Sequence, residues 1–149
     1  MAKYDVLDEV LLKYKPDVVY KAVLSEFAGK TSWWMPHFQI KAHNGNPPSQ
    51  VGSLFDLSIP KTPVKFTGKV VECTENKILR VQYVSGVFSG EGTWEFQEEN
   101  GETKVKFRWQ VSPASLLMKI MATFMNVPRS HSKTMRAGFE NLQRHLDNG

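Results

Sequence analysis

The dipeptide Asn100-Gly101 leaves little freedom to the residues on either side of it. A tight two-residue hairpin needs positive φ at both central positions, which asparagine and glycine tolerate. Its flanks, 93–97 and 103–111, read as strands. The second alternates strictly: Val105, Phe107, Trp109 and Val111 fall on one parity, Lys104, Lys106, Arg108 and Gln110 on the other. Successive side chains point to opposite faces of a sheet, so one face is apolar and the other is wet. Such a sheet needs a cover on one side only, and the lysines and arginine belong to the side without it.

The rest of the chain fits around that hairpin. Val6, Val10, Leu12 and Tyr14 share one parity, which predicts a first strand over 4–14. Pro16 stops it and opens a short helix, in which Val19, Val23 and Phe27 recur at helical spacing before Ala28-Gly29-Lys30 ends it. An aromatic connection, 31–38, leads to a turn-rich patch over 44–49. Strands are expected from Gly52 to Ile59, from Val64 to Cys73 and from Ile78 to Ser85. Gly90 and Gly92 lack the strand-to-helix setting of a nucleotide loop, and they permit a bend in a curved strand instead. The C-terminal quarter carries two helical patterns. Leu117, Met121 and Phe124, with Leu116 and Ile120 alongside, form the first; Met135, Phe139, Leu142 and Leu146 form the second. Pro128 breaks or kinks the helix between them. Strand, helix, run of strands, long helix: the order predicts an α+β domain, an antiparallel sheet wrapped round one long C-terminal helix.

Length and composition narrow the setting. A chain of 149 residues is on the scale of one domain, here 1–149, and long enough for a core without staples. Hydrophobic residues at 41% and charged ones at 23% exclude a disordered or collagen-like chain. The single cysteine, Cys73, excludes an internal disulfide and a multi-cysteine zinc site. The first residues run into acidic ones, which predicts no secretory leader, and 116–127 is too short to span a bilayer. The expected location is the cytoplasm. The net charge of +4 has no dense basic stripe behind it, so nucleic acid is not expected as a partner.

Several short segments, taken together, resemble the START-like helix-grip superfamily, also called the pollen-allergen-like or SRPBCC group. They are Pro16-Asp17-Val18-Val19-Tyr20 at the first helix, Trp33-Trp34-Met35-Pro36 after it, and Gly52-Ser53 before a strand. The hairpin from Gly92-Thr93-Trp94-Glu95-Phe96 to Gly101-Glu102-Thr103-Lys104-Val105 and the stretch 135–142 complete the set. Within the superfamily the chain resembles the polyketide cyclase/dehydrase and lipid transport branch. Trp33-Trp34 is similar also to the relatives that activate a heat-shock chaperone's ATPase. The resemblance implies a mostly apolar cavity between sheet and final helix that holds a lipid, a polyketide or another small hydrophobic ligand. A minority of such proteins are enzymes.

That implication singles out side chains. Ligand-binding candidates are Trp33, Trp34, Phe55, Tyr83, Trp94, Phe107, Trp109, Met121, Met135, Gly138 and Phe139. Plain core packing competes for each aromatic. Four of the six methionines fall between Met118 and Met135, and methionine adapts to irregular shapes. His37, His131 and Tyr83 are the candidates for orienting a ligand or, in an enzyme, for moving a proton, histidine because its ordinary pKa is near neutrality. A packing histidine is the competing reading at both positions. His37 and His43 lack the further ligands a metal needs, so neither a metal nor another cofactor is expected. Ser130-His131-Ser132-Lys133 matches a Ser-x-x-Lys pattern too short to carry weight. Three functions stay open: binding of a small hydrophobic molecule, a cyclase- or dehydratase-type enzyme, and a protein-interaction module in which 116–127 docks on a partner or a second copy as a homodimer.

Overall fold

The computed structural model describes residues 2–43 and 48–149, so most of the turn-rich patch read over 44–49 lies outside the described residues. Chain order is β1 (Tyr4–Leu12), α1 (Pro16–Phe27), β2 (Gln39–Ala42), β3 (Leu54–Ser58), β4 (Lys65–Thr74) and β5 (Ile78–Gly86). Then come β6 (Phe88–Glu99), β7 (Glu102–Pro113), α2 (Leu116–Phe124) and α3 (Val127–Asn148). Among the described residues the strands form one seven-stranded antiparallel sheet in the order β1-β7-β6-β5-β4-β3-β2. This is the α+β arrangement the sequence predicts, with β2 as a short edge strand that its weak pattern did not announce.

The β6–β7 hairpin turns at Asn100 (φ 54°) and Gly101 (φ 82°), as the dipeptide requires. Val105, Phe107, Trp109 and Val111 are buried, while Arg108 faces solvent and forms a two-pronged ion pair with Asp5 of β1. Arg108 lies opposite Leu7 in the β1–β7 register, on the outer face throughout. The inward side chains of β3 to β7 and the apolar stripe of α3 (Met135, Phe139 and Leu142) share one core with Val19, Val23 and Phe27 of α1.

The helices start where their caps dictate. Pro16 opens α1, with Asp17 in its positive first turn. Ser115 caps α2 by accepting from the Met118 amide, and Asn126 caps α3 by accepting from the Arg129 amide. Pro128 therefore sits in the first turn of α3, where its missing N–H costs nothing; the chain breaks before it, at Met125-Asn126.

The face that α2 turns inward differs from the expected stripe. Met118 is 3% exposed, whereas Leu116, Leu117, Ile120 and Phe124 all face outward, Phe124 at 87%. Only Met121 of the expected set packs against the core. A nine-residue helix with one charge has apolar residues all round it, so its sequence does not define a single buried face.

Candidate functional site

The site is built from the sheet upward. Tyr83 of β5, Trp94 of β6 and Phe107 and Trp109 of β7 point inward from neighbouring strands. Gly92 makes their convergence possible, because a Cβ there would stand 2.6 Å from the Tyr83 hydroxyl and 2.7 Å from the Phe107 ring. Any larger residue would occupy the space those rings need. Leu57, Ile59, Val64 and Phe66 close one flank from the β3–β4 hairpin. Met118, Met121 and Met125 of the α2 segment and Met135 of α3 close the roof. All four methionines of 118–135 thus meet around one space.

That space is a cavity lined by twenty residues, with about 770 Å³ of empty volume, part of it open to solvent. The portion that admits the centre of a water molecule is about 100 Å³. One water needs on the order of 10–15 Å³ on that measure, so the room suits a small molecule rather than a single solvent molecule. Among the described residues the lining contains no Asp, Glu, Lys or Arg. Apart from the indole N–H groups of Trp34, Trp94 and Trp109, its polar side chains are Tyr83 and, on the first two turns of α3, Ser130, His131 and Thr134.

The two titratable members are both held uncharged. The His131 ring lies parallel to Trp109, centroids 3.8 Å apart and planes 8° apart. Burial holds its pKa down to about 3, and its Nε2 is buried with no hydrogen-bond partner among the described residues. Burial pushes the Tyr83 phenol above the ordinary tyrosine value, the Trp109 indole beside it partly offsetting the effect. In a low-dielectric pocket the uncharged form of either group is favoured.

The structure brings together Trp34, Tyr83, Trp94, Phe107, Trp109, Met121, Met135 and His131 from the sequence candidates. Five candidates lie outside the lining. The Trp33 ring stacks on Trp34 and its indole N–H donates to the Ala22 carbonyl of α1. Phe55 sits on Gly68 of the neighbouring strand, where a Cβ would be 2.3 Å from its ring. Gly138 lies against the Trp34 indole, and Phe139 packs edge-on to Trp94 at 6.3 Å. His37 is in the turn after Trp34, its amide donating to the Trp34 carbonyl. These residues support the site from behind or stand away from it.

Glu26, which sequence reading passed over, holds one wall in place. It is 1% exposed, and its carboxylate accepts from the amides of Trp33 and Trp34 and from the Thr31 hydroxyl. A carboxylate on the inner turn of an amphipathic helix is the signal, and it reads as a surface charge until the following turn folds back on it. Among the described residues no three His, Cys, Asp or Glu side chains are grouped to hold a metal; His43 pairs instead with Asp56, and Cys73 Sγ lies 2.7 Å from the Tyr20 hydroxyl.

An antiparallel sheet curved round a long C-terminal helix, with an apolar cavity between them, defines a helix-grip protein of the START-like, pollen-allergen-like class. The model of the family "Activator of Hsp90 ATPase homolog 1-like protein" matches residues 13–148, and the chain belongs to that family. Solved structures share its fold. Ginseng major latex-like protein 151 from Panax ginseng superposes with TM-score 0.69 at 13% identity, covering 96% of this chain and 97% of that one. Ara h 8.0201 gives TM-score 0.71 at 12% identity, covering 98% and 99%. The Aha1 dimer from Colwellia psychrerythraea gives TM-score 0.65 at 15% identity, covering 96% of both. At such identities the likeness is one of fold. No curated protein matches the sequence at a significant level. No helix among the described residues is long and apolar enough to cross a membrane.

Proposed function

We propose that the protein, acting as one domain over 1–149, binds a small hydrophobic molecule in the cavity under α2 and α3. The observation that carries this reading is the lining itself: twenty of the described residues, from three helices, five strands and the loops between them, converge on unfilled space without one formal charge. Interiors normally close such space, since lining atoms without partners lose dispersion energy. Affinity would come from apolar ligand area leaving water, about 25 cal/mol per Å² before ordering costs. A lipid or polyketide longer than one or two rings would need α2 to move outward. The cytoplasm fits the unpaired thiol of Cys73. Native mass spectrometry of the purified protein should detect a retained small molecule that leaves on denaturation. Absence of any such adduct, together with no rise in Tm from saturating toluene, would overturn the reading.

A proton-shuttling cyclase or dehydratase has less support. A general acid or base works best with a pKa near the operating pH, and burial moves both His131 and Tyr83 away from it.

A protein-interaction role, self-association included, rests on a different observation. Leu116, Ile120 and Phe124 place a bare apolar face on the outside of α2. Patches of this kind mark contact sites. Phe124→Asp tests that face by sedimentation: an assembly larger than a monomer that disperses in the variant supports the role, and an unchanged assembly removes α2 from it.

A further inference from the structure

Resting on the cavity-binding reading, the distribution of polar groups sets the chemical class of what enters. The sheet side of the cavity and its methionine roof carry few polar atoms: the Tyr83 hydroxyl, beside the Trp109 indole, and the buried indole N–H groups of Trp94 and of Trp34, the latter turned to Gly138. The remaining polar side chains, Ser130, His131 and Thr134, lie along one edge of α3. The Thr134 hydroxyl donates to the Ser130 carbonyl, which leaves its oxygen free to accept from elsewhere. The His131 ring is fixed by its stack on Trp109. None of the described residues lining the space balances a formal charge, and an ion removed from water without a partner is strongly disfavoured. We infer that the cavity selects neutral molecules of about single-ring size, with one polar group held at the Ser130–His131–Thr134 edge of α3, and rejects their ionised counterparts.

Four small aromatic probes of matched size test this by calorimetric titration at neutral pH: toluene, p-cresol, p-toluamide and p-toluate. The last two are nearly isosteric and differ in charge. The amide should bind at least about tenfold more tightly than the carboxylate, a difference of about 1.4 kcal/mol. The cresol should bind about threefold to tenfold more tightly than toluene, the range one net hydrogen bond supplies. That advantage should shrink to less than about twofold in Ser130→Ala/Thr134→Val or in His131→Leu, variants that leave Met135, Phe139 and Leu142 of α3 in place. Equal binding of p-toluamide and p-toluate overturns the charge selection, and a cresol advantage unchanged in both variants overturns the polar edge. In both cases the binding of toluene shows that the cavity reading stands. If toluene, p-cresol and p-toluamide all fail to bind, the cavity reading fails and this inference falls with it.

Discussion

A methyl group on the Cα of Gly138 would stand 2.4 Å from Nε1 of Trp34 and 2.7 Å from its Cε2. The final helix approaches the indole this closely only because that position has no side chain. Trp34 cannot give way easily: Trp33 stacks on it at 5.3 Å and 11°, and Phe38 and Trp94 meet it edge-on at 5.3 and 5.7 Å. Gly138 therefore serves packing and, through Trp34, one wall of the cavity.

Gly138→Leu should destabilise the protein by about 1–3 kcal/mol through overpacking. Thermal unfolding without ligand reads this as a drop of several degrees in Tm. A variant as stable as wild type would show that Trp34 has room to move.

Glu26→Gln should cost about 2 kcal/mol, since hydrogen bonds to a charged group are worth about 1.5–3 kcal/mol and the amide keeps one acceptor oxygen for three donors. Urea unfolding measures the loss. The same variant should weaken toluene binding, because the amides of Trp33 and Trp34 lose their anchor. Unchanged stability would mean that the 31–38 turn holds itself.

His131 makes stability depend on pH in a defined direction. Its ordinary value is 6.5 and its folded value about 3, so between them the unfolded chain holds a proton that the folded one does not. The contribution is complete above about pH 6.5 and is lost as the pH falls towards 3, with a slope of at most about 1.4 kcal/mol per pH unit. On acidification from pH 7 to 5, His131→Leu should lose less stability than wild type. Parallel curves for the two would place His131 in contact with water.

Two residues of α2 should respond oppositely to truncation. Met118→Ala removes a buried side chain and should cost about 2 kcal/mol or more. Phe124→Ser changes an exposed one and should stay within about 0.5 kcal/mol of wild type. Chemical denaturation of both variants checks the orientation of the helix, and the reverse order would turn it over.

Most elements were legible because their signals are local. Asn100-Gly101 carries the hairpin in its own φ preferences, and the parity of Val105 to Val111 decides which side of β7 is buried before any partner strand is known. Pro16 and the 3–4 spacing of Met135, Phe139, Leu142 and Leu146 act in the same way for α1 and α3. The four residues of β2 were not legible, since so short an edge strand has too few positions to show a period.

The sequence by itself determined the fold class, the wet and dry faces of the sheet, and which residue types would meet under the final helix. Only the tertiary structure decided which of them face empty space. Phe55 and Trp94 are both inward aromatics on alternating strands, yet Phe55 covers Gly68 and Trp94 lines the cavity. Met121 and Ile120 are adjacent in an apolar helix, yet one roofs the cavity and the other faces solvent. Alternation and helical spacing are properties of one element, and they fix a direction. A cavity is what several elements leave unfilled between them, and it depends on distances between side chains far apart in the chain.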